Sequence, residues 1–300
     1  MPQPLPENVP IFILCGGLGT RLGSAAGNRP KPLVEIGDQP IVTHIMRSYR
    51  RFGFRRFVLC TGHRHDVVSS YFLDYPGIAN DFTVDLASHE IWYHQSSGAP
   101  DWQVTVAHTG QRAMTGARIA RAAARYLGDQ DHFGVTYGDG LTDADLGAEF
   151  AFHQDHEQLG TGLAVNPPSQ FGCFDLADGD VRGFAEKPLS EAAWINGGFF
   201  FFRRAFLRYL DDDDSCVLER EPLQRLARDG ELKLFHHQGF WSCVDTASDR
   251  DRLSALYETG ATPWLGAPAD VTDAGVGRHR DRTAAELRFP SKREGDDAAD

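Results

Sequence analysis

Apolar positions along the chain follow two alternating rhythms. Ile11-Phe12-Ile13-Leu14-Cys15 is an unbroken apolar run of strand length, which predicts a strand buried on both faces. Ile41, Ile45, Tyr49 and Phe52 then recur at helical spacing, with Arg47, Arg50 and Arg51 mainly off that face. Residues 56–60 and 104–106 predict a second and a third strand. Residues 115–127 predict a helix, with Ile119, Ala122, Ala123, Tyr126 and Leu127 on one stripe. Residues 133–137 predict a further strand, stopped by Gly138-Asp139-Gly140. Strand and helix in alternation give an α/β fold with a mostly parallel sheet.

After about Leu163 the texture is richer in β. Short strands are predicted at 172–176, 181–185, 198–202, 232–236 and 241–244, interrupted by an amphipathic segment at 221–228. This half is expected to pack on the first as an elaboration that forms one side of a ligand cleft. Three stretches are distinguished: a short N-terminal extension at 1–8, a globular part at 9–264, and a tail at 265–300. The tail is rich in Gly, Ala, Pro, Asp and Arg, and that composition predicts disorder.

Composition narrows the function classes. The chain has 300 residues and a net charge of −12, so a global basic field for nucleic acid is absent. No apolar run reaches the ~18–20 residues of a membrane span, and residues 1–10 lack the basic and apolar regions of a signal peptide. Cys15, Cys60, Cys173, Cys216 and Cys243 are odd in number, far apart and never paired as C-x-x-C. They read as reduced, mostly buried thiols of a cytoplasmic protein. Only Lys31, Lys187, Lys233 and Lys292 are lysines; every other basic residue is arginine. Codon bias accounts for the scarcity, and it leaves each retained lysine worth asking about.

Candidate chemistry begins after the first strand. Gly16-Gly17-Leu18-Gly19 follows it at once, and glycines let backbone N–H groups approach an anion. A dinucleotide fold wants G-x-G-x-x-G opening into a helix. Gly17 and Gly19 fit its first two places, but Leu22 holds the third, and a Walker Gly-Lys-Ser/Thr is absent. Arg21 follows the loop instead, and Lys31 stands between Pro30 and Pro32, which restrict the local backbone. His63/His65, His153/His156 and His236/His237 lack a third ligand at metal spacing. Asp211 to Asp214 read as a solvated acidic loop, and Phe199 to Phe202 as a buried strand.

Leu14-Cys15-Gly16-Gly17-Leu18-Gly19-Thr20-Arg21-Leu22 with Arg29-Pro30-Lys31-Pro32-Leu33-Val34 resembles the signature of sugar-1-phosphate nucleotidyltransferases. Later motifs follow in order: Tyr137-Gly138-Asp139-Gly140, Glu186-Lys187-Pro188, Asn196-Gly197-Gly198-Phe199 and Val244-Asp245-Thr246. Within the family the likeness is nearest to the branch that acts on CTP and glucose 1-phosphate. It is carried by Val34-Glu35-Ile36-Gly37, Thr43-His44-Ile45-Met46, Met114-Thr115-Gly116-Ala117-Arg118, Ile195 to Phe200 and Gly239-Phe240-Trp241. Ala117 stands where that branch has a second glycine, and Gln39 where it commonly has lysine.

The resemblance implies a Rossmann-like mixed, mostly parallel sheet flanked by helices, with a β-rich sugar-binding elaboration. It assigns 9–165 to the nucleotide and 166–264 to the sugar phosphate. The implied reaction is attack of a sugar-1-phosphate oxygen on the α-phosphorus of a nucleoside triphosphate, with Mg²⁺ as cofactor. Catalytic roles are implied for Arg21, Lys31 and Lys187. Leu14, Gly16, Gly17, Gly19, Thr115, Gly116, Arg118 and Gly138 are implied for the nucleotide. Gly172, Glu186, Lys187, Asn196 and Gly197 are implied for the sugar phosphate, and Asp139 and Asp245 for the metal. A homo-oligomer, with no nucleic acid or membrane as partner, is also implied. Thymidylyl or uridylyl transfer, and a non-catalytic nucleotide-sugar-binding subunit on the same fold, remain the alternatives. Asp139 taken alone also reads as a turn or cap aspartate, and Glu186 with Lys187 as an exposed pair.

Overall fold

A computed structural model describes residues 5–17, 29–94, 100–167, 173–177, 180–185 and 194–266. Its centre is a seven-stranded sheet. The strands are β1 (Pro10–Cys15), β2 (Arg56–Thr61), β3 (Gln103–His108), β4 (His132–Tyr137), β5 (Gly160–Val165), β6 (Ile195–Arg203) and β7 (Leu232–His237). Their order across the sheet is β7-β5-β6-β4-β1-β2-β3. Neighbours run parallel except β6, which is antiparallel to both β4 and β5.

Helices cover both faces. They are α1 (Ile41–Arg50), α2 (His65–Leu73), α3 (Tyr75–Ala79), α4 (Thr115–Tyr126), α5 (Leu146–Asp155), α6 (Glu221–Arg228) and α7 (Ala247–Glu258). Alternation along β1 divides the core between the two faces. Ile11, Ile13 and Cys15 pack with α1 and α5, through Ile45, Tyr49 and Phe150. Phe12 and Leu14 pack with α4 and α6, through Ile119, Ala122 and Leu226. All six residues of β1 are buried, as its unbroken apolar run requires.

The strand expected at 198–202 is longer, Ile195–Arg203, and the helix expected at 221–228 is α6. The β-rich half extends the sheet of the first. Its strands β6 and β7 join the same sheet, because antiparallel β6 inserts between β4 and β5. A separate two-stranded piece remains, Cys173–Ala177 with Asp180–Ala185. Another hairpin, Asp81–Val84 with Ile91–His94, leaves Phe82, Ile91, Trp92 and Tyr93 exposed. The tail expected from 265 falls outside the described residues from 267 onward. Leu265 itself closes a short turn, Pro263–Leu265, that buries Trp264 against the core.

Candidate active site

Strand order reverses at β1, with β2 and β3 on one side and β4 on the other. In such sheets, ligands bind in the crevice at the carboxyl ends of the strands flanking that point. A cleft of about 760 Å³ opens there, lined by Gly16 and Gly17 after β1 and by Gly138 and Asp139 after β4.

Three distant stretches bring one ammonium and two carboxylates together in this cleft. Lys31 opens a short turn, Lys31–Leu33, whose flanking prolines set its backbone. Asp139 follows β4, where the N–H of Gly138 donates to the carbonyl of Leu14 at 3.1 Å. Asp245 follows Trp241–Cys243, a strand paired antiparallel with Gly140–Thr142. The N–H of Val244 donates to the carbonyl of Asp139 at 2.9 Å, holding the two aspartates side by side. Lys31 Nζ donates to Asp245 Oδ1 at 2.7 Å and also to Asp139 Oδ2. Burial alone would lower the Lys31 pKa, but the two carboxylates outweigh it and the net shift is upward. Two carboxylates already converging on one cation are a hard-oxygen donor set. It fits Mg²⁺, which is held by one or two carboxylates with its other ligands from substrate and water. Among the described residues no third carboxylate, histidine or cysteine completes a protein-only metal cage.

The glycine turn is braced by Arg118, which also lines the cleft. Arg118, on α4, is buried, and its guanidinium donates to the carbonyls of Gly16 at 3.0 Å, Thr61 at 2.9 Å and Gly110 at 2.8 Å. It also donates to the Thr109 hydroxyl at 3.0 Å. One side chain thus ties the carboxyl ends of β1, β2 and β3 together. Burial lowers its pKa from the ordinary value. A Cβ on Gly16 would lie 2.0 Å from the Arg118 guanidinium carbon, so no larger residue fits while the brace is in place.

The start of α4 forms another part of the cleft wall. Met114 and Thr115 line the cleft. The N–H of Gly116 donates to the Cys216 carbonyl at 2.9 Å. A Cβ there would meet Cys216 Sγ at 2.5 Å, so glycine permits the close approach. The Thr115 hydroxyl donates to Glu219 at 2.7 Å, and Tyr137 donates to the same carboxylate.

Of the implied sugar residues, Asn196 and Gly197 are described, and each has a local hydrogen-bond partner. Asn196 Oδ1 accepts from the N–H of Gly198 at 2.8 Å, and the Gly197 carbonyl accepts from Trp241 Nε1 at 2.7 Å. Gly19, Arg21, Gly172, Glu186 and Lys187 lie outside the described residues. Four of the histidines have local partners: His65 with Thr61 at 2.6 Å, His153 and His156 with Thr161 at 2.9 and 2.7 Å, and His237 with Asp143 at 2.7 Å, while His63 lines the cleft. Cys15 and Cys60 are buried, whereas Cys216 and Cys243 are only half-buried; all four are free thiols among the described residues. Burial pushes the Cys243 thiol up to about 11, with Asp245 and Asp139 adding to the shift.

Sequence reading missed Glu219, Gln111 and Arg112. Gln111 and Arg112 line the cleft in the loop between β3 and α4, a position at the carboxyl edge of a strand that topology alone makes suspect. Glu219 carries no signal of its own in the sequence.

Comparison with known proteins fits this geometry. The family described as nucleotidyl transferase matches over residues 11–251. A glucose-1-phosphate cytidylyltransferase of Salmonella typhimurium is 42% identical over 252 residues, covering 84% of this chain and 97% of that protein. The enzyme of the same name from Salmonella typhi matches to the same extent. Among solved structures, HddC from Yersinia pseudotuberculosis superposes with a TM-score of 0.55 at 20% identity, covering 83% of this chain and 99% of that one. That likeness is one of fold. No helix among the described residues is long and apolar enough to cross a membrane.

Proposed function

The chain belongs to the nucleotidyl transferase family, and on that premise we propose that it transfers the cytidylyl group of CTP to glucose 1-phosphate. The products are CDP-glucose and pyrophosphate. Similarity to the Salmonella cytidylyltransferases over nearly their whole length supports the substrate pair. The observation that carries the chemistry is the meeting of Lys31, Asp139 and Asp245 beside the glycine turn.

An oxygen of the sugar phosphate attacks the α-phosphorus as the bond to the bridging oxygen of pyrophosphate breaks. Such in-line transfer depends on positioning and charge stabilisation and needs no protein nucleophile. Asp139 and Asp245 would hold Mg²⁺, which supplies charge neutralisation for the transferred group and for leaving pyrophosphate. Lys31 releases these carboxylates and turns its point charge to the α-phosphate, where its compact ammonium suits a developing charge. Leu14, Gly138 and the backbone at Gly16, Gly17 and Gly19 face the triphosphate, and Arg21 contacts its β/γ oxygens. Thr115 and Gly116 face the base. Arg118, which the sequence motif would place on the base, acts through the Gly16 turn it braces. Lys187 holds the incoming phosphate, with Gly172, Glu186, Asn196 and Gly197 for the sugar. Residues 9–165 are the nucleotide part and 166–264 the sugar-phosphate part.

The protein works in the reducing cytoplasm, which its unpaired cysteines suit. It assembles with copies of itself; the exposed Phe82, Ile91, Trp92 and Tyr93 of the hairpin supply apolar surface for that contact. Incubation with CTP, glucose 1-phosphate and Mg²⁺ tests the activity. CDP-glucose and pyrophosphate should appear in equal amounts, and binding of CTP without either product would favour the non-catalytic subunit instead. Light scattering tests assembly: a mass of one protomer would contradict it.

A further inference from the structure

The carboxylate of Glu219 bridges two residues that line the cleft, Tyr137 and Thr115. One oxygen accepts from the hydroxyl of Tyr137, the last residue of β4. The other accepts from the hydroxyl of Thr115, the first residue of α4, at 2.7 Å. The same Thr115 oxygen accepts the backbone N–H of Leu218 at 2.9 Å. A hydroxyl has one donor and two acceptor sites. Thr115 has spent its donor on Glu219 and one acceptor site on Leu218. What remains on this cleft-lining hydroxyl is one acceptor site and no donor.

We propose that Glu219 fixes the polarity of the Thr115 hydroxyl and thereby makes that position select cytosine over uracil or thymine. The proposal rests on the cytidylyl reading and adds the residue and the hydrogen-bond direction behind it. Cytosine presents an N4 amino donor where uracil and thymine present an O4 acceptor. A hydroxyl locked as an acceptor bonds the amino group. Against O4 it sets acceptor against acceptor, and both groups lose water without gaining a partner. Glu219 does not touch the base; it is a positioning residue acting through Thr115. The pairing also explains why an exposed acidic side chain reaches back 104 residues to a hydroxyl at the cleft.

Replacing Glu219 by glutamine tests this directly. The amide keeps the shape but carries donors, and facing Thr115 it forces that hydroxyl to accept, freeing its proton for the cleft. The experiment measures kcat/KM for CTP and for UTP with glucose 1-phosphate in wild type, Glu219→Gln, Thr115→Ser and Thr115→Val. Calorimetric binding of CTP and UTP without sugar phosphate gives a readout independent of turnover. The expected result is a fall of about tenfold in the CTP/UTP ratio for Glu219→Gln. Thr115→Ser should keep the wild-type ratio, and Thr115→Val should compress it through loss of CTP. Equal losses on both nucleotides in Glu219→Gln and Thr115→Val, with the ratio unmoved, would mean a merely structural tie and overturn the proposal. If Glu219→Gln melts early, the serine and valine variants decide between these outcomes alone. A wild type with no preference for CTP would fail at the first measurement, and that failure belongs to the cytidylyl reading itself.

Discussion

Lys31 Nζ donates to Asp245 Oδ1 at 2.7 Å, joining positions 214 residues apart in the chain. Asp139 shares the same ammonium. This three-group cluster is the point at which strand order, glycine turn and proline-set turn converge. Two carboxylates held this close repel one another unless a cation lies between them. In the free protein that cation is Lys31; under the proposed mechanism Asp139 and Asp245 would hold Mg²⁺ once Lys31 turns to the nucleotide.

Asp139→Asn should therefore abolish most turnover while leaving the fold intact. The expected loss is on the order of 10²-fold or more in kcat, comparable to removing one strong electrostatic contact to the transition state. Pyrophosphate release against Mg²⁺ concentration measures it. Lys31→Met should also cut turnover, but with an opposite effect on metal. With its competitor gone, the carboxylate pair should bind Mn²⁺ more tightly in the absence of nucleotide. Unchanged or weaker Mn²⁺ binding in Lys31→Met would remove the carboxylate pair from the metal site.

Arg118→Met should destabilise the protein, because the carbonyls of Gly16, Thr61 and Gly110 lose a charged donor together. Stranded buried acceptors cost about 1–3 kcal/mol. At about 2–4 °C per kcal/mol for a chain of this size, the melting temperature should fall measurably. KM for CTP should rise as the glycine turn loosens. A full loss of CTP binding with no fall in melting temperature would instead put Arg118 on the base.

Gly116→Ala should raise KM for CTP, since the added Cβ would lie 2.5 Å from Cys216 Sγ and 3.0 Å from the Cys216 carbonyl. The start of α4 must shift to relieve it. Pairing the change with Cys216→Ala, which removes the sulfur, should recover part of the loss. No recovery would mean that the carbonyl contact alone decides the cost.

Beneath the sheet, Glu149 on α5 is buried with neither carboxylate oxygen hydrogen-bonded among the described residues, and burial raises its pKa well above the ordinary 4.5. His153, one turn further along α5, is pushed down to about 2, by burial first and by His132 and His156 next. The signs differ. A raised folded pKa gives Glu149 a stabilising contribution below about pH 4.5 that is lost as pH rises through the folded value. A lowered folded pKa makes His153 cost stability as pH falls below 6.5, where the unfolded chain takes up the proton first. Glu149→Gln should consequently gain stability over wild type at pH 8 compared with pH 4.5. Denaturant titrations at the two values measure it, and an advantage that shrinks with rising pH would contradict the assignment.

Much of this architecture is readable in the chain, and the exceptions have physical causes. β1 is legible because all its buried positions are apolar, and α1 and α4 because an apolar stripe dominates their buried faces even with Thr43, His44, Ser48 and Arg118 buried beside it. α5 is hidden because Glu149 and His153 occupy its buried face beside Leu146 and Phe150, so hydropathy shows no stripe. β5 is hidden because Gly160 and Gly162 dilute a strand that is buried throughout. Its first glycine admits Phe202 and Leu226 against the backbone, which only packing reveals. At the site, Lys31, Asp139 and Asp245 follow from motif resemblance. The brace role of Arg118 and the place of Glu219 do not, because both rest on hydrogen-bond directions between segments far apart in sequence.

The most direct test of the whole account is kcat/KM for pyrophosphate release with glucose 1-phosphate across CTP, UTP, dTTP, ATP and GTP. The account predicts turnover led by CTP, with UTP and dTTP at least about tenfold behind. Turnover led by UTP or dTTP, with CTP inactive, would contradict it.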